Sequence, residues 1–397
     1  MPRLIVFSHL RWDFVYQRPQ HLLSRLARHY PVVFIEEPVQ GPVPELERRR
    51  PVAGVEVLRP HLPSTFTGFH DDHLPALRLL LSEYLRSERP EPYWLWFYTP
   101  MALPLAAEFS PVGTVYDCMD ELSAFLQAPR QLLQRENALL GAADLVFTGG
   151  ASLYEAKRRR HPDVHCFPSS VDAAHFRPPA EGFAEHAAQA DVPHPRLGFF
   201  GVIDERLDLA LVASIADRRP DWHIVMVGPV AKIDPGTLPR RPNIHWLGQR
   251  SYEELPALVS GWDVCLLPFA LNDATRYISP TKTLEYLAAD RPVVSTPVKD
   301  VVDTYNGIVR IAATPRDFVA QCAELLALDG PARESAAHAR AAVVARTSWD
   351  STAASMVALL RKAESTSRPS PARVRVDEVP TLLVAGCEGS MATPLDG

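Results

Sequence analysis

Short apolar runs alternate with amphipathic stretches along most of the chain, a pattern typical of repeated βα units around parallel sheets. In the first half, the leucines at positions 22, 23 and 26 share one face and predict a helix over residues 18–30. The apolar runs of this half predict strands over residues 3–8, 32–37, 94–99, 113–118, 144–149 and 164–169. Residues 1–176 are therefore predicted to form a Rossmann-like domain.

The alternation restarts after residues 177–195, a stretch rich in proline and alanine that predicts a linker. The next strands are predicted over residues 196–201, 223–228, 243–248, 263–269, 292–297 and 307–312, with helices over 206–218, 251–260, 280–290 and 315–328. The predicted fold class is α/β, with a second Rossmann-like domain over residues 196–346 that faces the first across a cleft. Ligands of open parallel sheets bind beyond the carboxyl ends of the strands, so chemistry is expected in that cleft.

Two helical segments and a polar tail complete the organisation. After a helix over about 330–346, Ser348 is placed to cap a last helix, residues 347–364. Residues 365–397 have few large apolar side chains and no periodicity, which predicts a disordered tail, with a docking segment as the alternative.

Composition narrows the class of protein. The chain has 397 residues, of which 47% are hydrophobic and 22% charged, as in soluble globular proteins. Its net charge of -6 provides no overall positive charge that would attract a polyanion, so nucleic acid is not an expected partner. No apolar run reaches ~18 residues and no signal cleavage pattern is present, which predicts a cytoplasmic protein. The five cysteines form no CxxC pair, so no zinc site is expected.

The basic runs at 47–51 and 157–162 are candidates for contact with anionic lipid, with solvated helix ends as the alternative.

The segment over residues 274–297 carries the clearest candidate site. Pro280 and Thr281 can begin a helix whose first-turn amides are free to bind an anion. Lys282 lies in that first turn, where a cation gains nothing from the helix dipole, so an incoming diphosphate would explain its position. Glu285 follows one turn later on the same side, within reach of the ribose of a nucleotide. The alternative is an exposed Lys and Glu pair on an ordinary amphipathic helix.

A second candidate follows the strand that ends at Gly201. Arg206 is predicted at the start of the next helix, where its guanidinium can offer a fork of donors to phosphates. Only one glycine is present here, so the GxGxxG pattern of a nicotinamide enzyme is absent. Walker A, HExxH and GxSxG patterns are also absent, which argues against P-loop NTPases, zinc proteases and α/β-hydrolases.

The loop after the first strand carries many large polar and aromatic side chains. His9, Trp12 and Arg18 are candidates for this side of the cleft, because such side chains in a loop are costly unless they line a site. The alternative is that Trp12 and Tyr16 pack over the sheet edge.

Two aspartates lie at or just beyond the carboxyl end of another predicted strand of the first domain. Asp117 is predicted to be the better placed for the cleft. Asp120 is either a second cleft residue or a helix cap.

With these residues in view, the chain resembles the retaining GT-B glycosyltransferases of the family-4 type, also called group 1, over about residues 3–364. PSSVDAAHF (168–176) resembles the interdomain signature of that family, and FFGVIDERLDL its phosphate-binding segment. YISPTKTLEYLAADRPVVST resembles its EX7E region, and TSWDSTAASM its closing helix, which crosses back to the first domain. RWDFVYQRPQHLLSRLA is similar to a branch associated with cell-wall and exopolysaccharide gene clusters.

This resemblance implies roles for individual residues. Arg206 and Lys282 would bind the diphosphate, Glu285 the ribose, and the backbone around Gly248 would border the base. Tyr277 stands where the family has the first glutamate of EX7E, which contacts the donor sugar. The implied catalytic set is Arg206, Lys282 and Asp117. The donor-binding set is Gly201, Gly248, Tyr277, Ser279, Pro280, Thr281, Thr283 and Glu285. The acceptor-side set is His9, Trp12, Arg18 and Asp120.

The implied function is transfer of a hexose, with retention, from a nucleotide-diphosphate sugar to a glycan or polyprenyl-linked acceptor in cell-surface polysaccharide synthesis. The resemblance implies no metal or other cofactor, because the departing diphosphate itself takes the proton of the acceptor, and it allows a peripheral contact with the inner face of the cell membrane. One alternative is an NDP-sugar epimerase of the same fold, for which only His9, Asp117 and Asp120 are obvious acid and base groups. The other is a catalytically silent module that binds nucleotide sugar, which the tyrosine at position 277 keeps open.

Overall fold

The computed structural model describes residues 2–88 and 92–366, which form two α/β domains. The strands of the first sheet are β1 (Arg3–Ser8), β2 (Val32–Glu36), β3 (Val39–Gln40), β4 (Glu45–Val52), β5 (Val55–Leu62), β6 (Tyr93–Phe97), β7 (Gly113–Cys118), β8 (Leu145–Thr148) and β9 (Val164–Cys166). The strands of the second sheet are β10 (Arg196–Phe200), β11 (His223–Val227), β12 (Ile244–Gly248), β13 (Val264–Leu267), β14 (Val293–Ser295) and β15 (Arg310–Ile311).

The helices lie mostly between the strands. Those of the first domain are α1 (Arg18–Leu26), α2 (Leu74–Glu88), α3 (Leu132–Ala142), α4 (Ala151–Lys157) and α5 (Ala173–Phe176). Those of the remaining chain are α6 (Leu209–Arg218), α7 (Leu255–Ser260), α8 (Thr281–Ala288), α9 (Lys299–Tyr305), α10 (Pro315–Leu326), α11 (Gly330–Val344) and α12 (Trp349–Thr366). Short 3₁₀ helices include Leu122–Ala124, Tyr252–Glu254 and Asp273–Thr275.

Both sheets have the doubly wound order. The first runs β3-β5-β2-β1-β6-β7-β8-β9, with β4 antiparallel on β5 and all other pairs parallel. The second runs β12-β11-β10-β13-β14-β15 and is parallel throughout. In each sheet the chain starts at a central strand, β1 or β10, and later crosses to its other side, which creates a topological switch point beside that strand. The predicted α/β fold with two parallel sheets is confirmed.

The cores follow from strands that are buried on both faces. Ile5 and Phe7 of β1 pack into one core of the first domain, while Leu4 and Val6 pack into a second core on the opposite face of the sheet. Trp349 of α12 is fully buried in that second core, so the last helix lies on the first domain. The helix is capped as expected, because the Ser348 hydroxyl accepts from the Ser351 N–H at 3.1 Å.

Two local features differ from the sequence-based expectation. The hairpin β4–β5 was not predicted, because β4 is a polar strand with the sequence ELERRRPV that pairs on only one side. The helix expected from residue 206 begins at Leu209, since Asp208 caps it by accepting from the Leu211 N–H at 2.8 Å. Arg206 therefore lies in the preceding loop and not at the start of the helix.

Other predictions fall partly or wholly outside the described residues. Ser365 and Thr366 form the end of α12, and residues 367–397 of the predicted tail lie outside the part of the chain that the structure describes, as does Cys387. The four described cysteines are all free thiols. Within residues 2–88 and 92–366, none of the helices is long and apolar enough to cross a membrane.

Candidate active site

A cavity of about 580 Å³ lies between the carboxyl ends of the two sheets, in the size range of small-molecule sites. The first domain lines it with the loop of residues 12–18 and with Asp120, among others. The second domain lines it with Arg206, the segment 249–253 and the first turn of α8 with its preceding loop, residues 278–282. The cavity is therefore where the doubly wound topology predicts a ligand.

Two glycines let the central strands of the second sheet approach each other at the cavity wall. Gly201 follows β10 with φ +137° and Gly228 follows β11 with φ +146°, conformations that favour glycine. A β-carbon added to Gly228 would lie 1.9 Å from the carbonyl oxygen of Gly201, and one added to Gly201 would lie 2.8 Å from Lys282 Cε. The lysine side chain therefore lies directly over the glycine backbone.

Lys282 is a cation without a partner at this wall. Among the described residues, none accepts a hydrogen bond from its ammonium or forms an ion pair with it. Its Nζ lies 5.5 Å from the ring centroids of both Phe199 and Phe269. Burial and the nearby Arg206 lower the pKa of Lys282 to about 8, against the opposing effect of Glu285. A bound anion would supply the negative charge that no described residue offers to the Lys282 ammonium.

Arg206 faces the same cavity and is held in place by Asp204. Its Nε and Nη2 donate to the two carboxylate oxygens of Asp204, with the shortest bond 2.6 Å from Nη2. The guanidinium carbon also lies 5.5 Å from the ring centroid of Phe125 in the first domain. The structure thus brings Arg206 and Lys282 to one space, as the diphosphate hypothesis requires.

The N-terminus of α8 adds open backbone donors. Pro280 precedes the helix, and no side chain caps its first turn. The Thr281 hydroxyl donates to Ser169 Oγ at 3.1 Å, and Ser169 donates to the Ser279 carbonyl at 2.8 Å. These bonds join the two domains beside the helix end, where free amides and the helix dipole favour an anion.

Glu285 offers a carboxylate to the same cavity. It is 5% exposed, and among the described residues none donates a hydrogen bond to its side chain. Burial raises its pKa to about 7, while Lys282 acts in the opposite direction. A buried carboxylate without donors is suited to accept hydrogen bonds from hydroxyl groups of a ligand.

Three residues of the predicted donor set do not line the cavity. Thr283 is fully buried in α8, and Gly248 accepts from the Gly228 N–H at 2.8 Å while its neighbour Gln249 reaches the cavity. Tyr277 packs against the core of the first domain and lies under Arg276, whose guanidinium carbon is 5.3 Å from the ring centroid. Gly201, Ser279, Pro280 and Thr281 do line it.

In the first domain, Asp117 lies behind the cavity wall and not in the cleft, where it was predicted. Asp117 is fully buried and binds Arg18, whose Nη2 lies 3.0 Å from Oδ1, and it does not line the cavity. Arg18 does line it, and its Nη1 donates to the Phe167 carbonyl at 2.7 Å. Asp117 is thus placed to position Arg18, and the expectation that it faces the cleft directly is corrected.

Asp120 is the carboxylate that reaches the cavity. The 3₁₀ helix Leu122–Ala124 is preceded by Glu121, so Asp120 is not its cap. No described residue donates to the Asp120 side chain. Burial raises its pKa, against the opposing charge of Arg206. Asp120 is therefore available to a ligand.

Of the other acceptor-side candidates, Trp12 borders the cavity but His9 does not. Trp12 is only 7% exposed and packs edge-on to Phe34 at 5.2 Å, so it also belongs to the core, as the alternative interpretation held. Burial lowers the pKa of His9 to about 4, and its Nδ1 has no partner among the described residues. His9 is thus a neutral imidazole outside the cavity.

The loop of residues 12–18 crosses the cleft and contacts the second domain. The Tyr16 ring stacks on Tyr252 with centroids 4.4 Å apart, and Tyr252 stacks in turn on His175 at 4.0 Å. The side-chain amide of Gln249 donates to the Phe14 carbonyl. This aromatic stack closes one side of the cavity with residues of both domains.

Some residues of the site carry signals that sequence reasoning did not use. Asp204 stands two positions before Arg206, where a carboxylate can bind the guanidinium of the same loop. Gly228 ends β11 in the same way as Gly201 ends β10, which marks a second close approach of backbone at the switch point. Tyr252 and its neighbours lie on a 3₁₀ helix and have no such local signal.

Comparison with known proteins agrees with this architecture. Residues 194–328 match the family described as Glycosyl transferases group 1. The chain is 25% identical over 259 residues to TuaH of Bacillus subtilis (strain 168), which is named for a proposed role as a glycosyltransferase of teichuronic acid biosynthesis. That match covers 59% of this chain and spans 64% of the length of the relative.

Two solved structures share the fold of both domains. Sucrose-phosphate synthase from Thermosynechococcus elongatus superposes with a TM-score of 0.71 at 17% identity, over 92% of this chain and 100% of that one. Anabaena HepE, in complex with UDP and glucose, superposes with a TM-score of 0.66 at 11% identity, over 91% of this chain and 100% of that one. At these identities the likeness shows the fold.

The predicted GT-B architecture and the predicted resemblance to group 1 glycosyltransferases are thereby confirmed. The family match covers the domain that carries Arg206, Lys282 and Glu285. Residues 194–328 therefore form a Glycosyl transferases group 1 domain.

Proposed function

We propose that the protein transfers a sugar from a nucleoside-diphosphate sugar to an acceptor held by the first domain. The observation that carries the proposal is the unpartnered ammonium of Lys282, which shares one cavity with Arg206, the open N-terminus of α8 and the carboxylate of Glu285. Cations and amides suit a diphosphate, and a carboxylate suits a ribose diol. The UDP in the HepE structure supports a nucleotide donor.

Charge stabilisation is the main contribution of the protein in this proposal. As the bond from sugar to diphosphate breaks, negative charge develops on the leaving group. Lys282, Arg206 and the α8 amides are already oriented toward it in a buried site, where such interactions are strong. Asp204 keeps the guanidinium in one orientation, so little reorganisation is needed at the moment of reaction.

We further propose that transfer proceeds with retention, as in the family-4 type. In that route the departing diphosphate accepts the proton of the acceptor hydroxyl on the same face of the sugar, so no protein nucleophile is required. Asp120 would then bind a hydroxyl group of the acceptor or of the sugar, since its carboxylate reaches the cavity without a protein partner. The stack of Tyr16 on Tyr252 would limit the entry of water.

The acceptor and the setting belong to the same proposal. The match to TuaH, which is named for teichuronic acid biosynthesis, supports a role in cell-surface polysaccharide synthesis. We propose transfer of a hexose to a glycan or polyprenyl-linked acceptor. We propose a cytoplasmic protein with a peripheral contact to the inner face of the cell membrane, working without a metal cofactor and without nucleic acid.

A nucleotide-binding experiment tests the donor site directly. UDP, GDP and ADP are each added to the protein, and the melting temperature is measured, because a ligand of the folded state must raise it. We expect one of them to stabilise the wild type and to lose this effect in Lys282→Met. Lys299→Met is the matched control, since Lys299 lies on α9 and pairs with Asp303 outside the cavity. A shift that survives in Lys282→Met would contradict the proposed site.

A catalytically silent module is the competing function, because Tyr277 replaces the glutamate that contacts the donor sugar and packs outside the cavity. Binding of a nucleoside diphosphate without turnover of any donor would favour it. An epimerase has less support, because only Asp120 of its three acid and base candidates lines the cavity. Incubation with an NDP-sugar and no acceptor separates it, since only an epimerase converts the sugar.

A further inference from the structure

Two segments from different domains meet at one edge of the cleft. Residues 125–130 follow the 3₁₀ helix Leu122–Ala124, which packs against the 3₁₀ helix Asp273–Thr275 of the second domain. Phe125 lies 5.5 Å from the guanidinium carbon of Arg206, and the Ala270 N–H donates to the Arg206 carbonyl at 2.8 Å. Since Arg206 lines the cavity, both segments adjoin its mouth.

Each of these segments presents a large apolar side chain to solvent. Leu126 is 65% exposed and Leu271 is 63% exposed. A single exposed leucine needs no explanation, but here the residues directly before the two leucines, Phe125 and Ala270, contact the same arginine from different domains, which places both leucines beside the cavity mouth. We name Leu126, Arg130, Lys232, Leu271 and Arg276 the leucine edge.

The three cations of the leucine edge are exposed and free. Arg130, Lys232 and Arg276 form no ion pair with any residue of the described ranges, 2–88 and 92–366. Lys232 is tied to the same place by its Nζ, which lies 4.9 Å from the ring centroid of Phe125. Asp234 and Asp273 are the acidic residues of the segments that carry these three cations, so the balance is positive by one charge.

The basic runs at 47–51 and 157–162, which were candidates for contact with anionic lipid, form ion pairs within the first domain instead. Lys157 is buried and donates to Glu121 at 2.7 Å and to Glu136 at 2.6 Å. In the other run, Arg48 binds Glu56 at 2.8 Å. Their charges are largely neutralised within the first domain, so these runs are weaker candidates for an anionic surface than the leucine edge.

We propose that the leucine edge docks on an anionic phospholipid bilayer and so places the mouth of the cavity at the membrane surface. Free cations gain free energy near the negative surface of such a bilayer, and the gain is additive over residues that reach it together. Exposed apolar side chains surrounded by polar ones are a recognised feature of membrane-contacting surfaces. This deepens the proposed function, on which it rests for the acceptor, by assigning the face through which a lipid-linked acceptor reaches the site.

Vesicle binding of the full chain tests the assignment. The protein is sedimented with phosphatidylcholine vesicles that contain or lack phosphatidylglycerol, and the bound fraction is measured at low and high salt. We expect binding only to the anionic vesicles and its loss at high salt, because charge attraction is screened. Arg130→Gln with Arg276→Gln should lower the partition coefficient by about fivefold per cation. Leu126→Ser with Leu271→Ser should lower it as well.

Two matched controls keep the test specific. Leu79→Ser removes an equally exposed leucine, 65%, from helix α2, and Arg158→Gln removes a cation of the paired basic run. Both should bind anionic vesicles like the wild type. Equal losses in control and edge variants, or a wild type that does not bind, would overturn the proposal.

The outcome is separable from that of the proposed function. Sedimentation needs no nucleotide, so a protein that is stabilised by a nucleoside diphosphate but ignores anionic vesicles contradicts only the leucine edge. The nucleotide-induced rise in melting temperature also checks that each edge variant is folded. Edge variants that keep this rise and lose vesicle binding would support the proposal directly.

Discussion

The two walls of the cleft differ in whether their charged side chains have partners within the protein. On the wall of the second domain, Lys282 and Glu285 have no hydrogen-bond partner among the described residues, although Lys282 is half-buried and Glu285 is buried. On the wall of the first domain, Arg18 is bound by Asp117 in a buried ion pair. Asp120, which has no donor, is the exception on that wall, and Arg206, which is paired with Asp204, is the exception on the wall of the second domain.

This difference indicates which wall is built around a charged ligand. A buried polar group without a partner costs about 1 to 3 kcal/mol, so it persists where a ligand supplies the missing bonds. A buried pair needs no ligand and fixes the shape of its surroundings. We therefore assign charge recognition mainly to the second domain and shaping of the cleft mainly to the first.

The largest expected effect concerns the Asp117–Arg18 ion pair on the wall of the first domain. Replacing Asp117 by Ala leaves the Arg18 guanidinium buried without its carboxylate, which should lower the free energy of unfolding by about 3 to 5 kcal/mol. Urea denaturation measures it. Asp120→Ala is the control, because no buried partner is left behind, and it should change stability by less than about 1 kcal/mol. Similar losses in both variants would remove the distinction between the two aspartates.

The distinction between these two aspartates also shows where sequence reasoning ends. They stand three positions apart at the carboxyl end of β7, and nothing in the local sequence shows that Asp117 is the carboxylate that binds Arg18, 99 positions away. Pairing over such distances depends on how the strands assemble, so Asp117 was expected in the cleft and found behind it.

Other parts of the molecule could be predicted because neighbouring residues in the sequence determine their structure. Strand β10 was predicted over 196–201 and spans Arg196–Phe200, since a strand buried on both faces must be continuously apolar. Lys282 and Glu285 share a helix turn, so their common side follows from spacing alone. By contrast β4, a polar strand at the edge of its sheet, has no apolar pattern to detect.

The next effect concerns the wall of the second domain. Lys282→Ala and Arg206→Ala should each lower turnover by about 100-fold or more, because each removes an oriented charge from the leaving diphosphate. Initial rates with the donor chosen by nucleotide binding measure the loss. Lys299→Ala, outside the cavity, serves as the control and should keep the wild-type rate. Near-wild-type rates in the cavity variants would assign the charge recognition elsewhere.

A smaller effect is expected from the pH dependence of stability without ligand. The folded pKa of Glu285 is raised to about 7 from an ordinary value of 4.5, so the folded state favours its protonated form. Its contribution to stability is complete below pH 4.5 and is lost as the pH rises through 7, which amounts to about 2 kcal/mol or less. Denaturation at pH 5 and pH 7 should show this fall in the wild type and a smaller fall in Glu285→Gln. Identical pH profiles would mean that Glu285 is not held protonated by burial.

The smallest effect concerns the contact that joins the two walls. Tyr16→Ala removes the ring that stacks on Tyr252 from across the cleft, an interaction worth about 0.5 to 1.5 kcal/mol. If the nucleotide binds the closed cleft, its affinity should fall by about fivefold, because closure then becomes less favourable. Calorimetric titration of the nucleoside diphosphate measures the change. Phe66→Ala removes a ring of the same domain that stacks on His70, outside the cavity lining, and should leave the affinity unchanged. An unchanged affinity in Tyr16→Ala would mean that the second domain binds the nucleotide alone, which would make the division between the two walls sharper still.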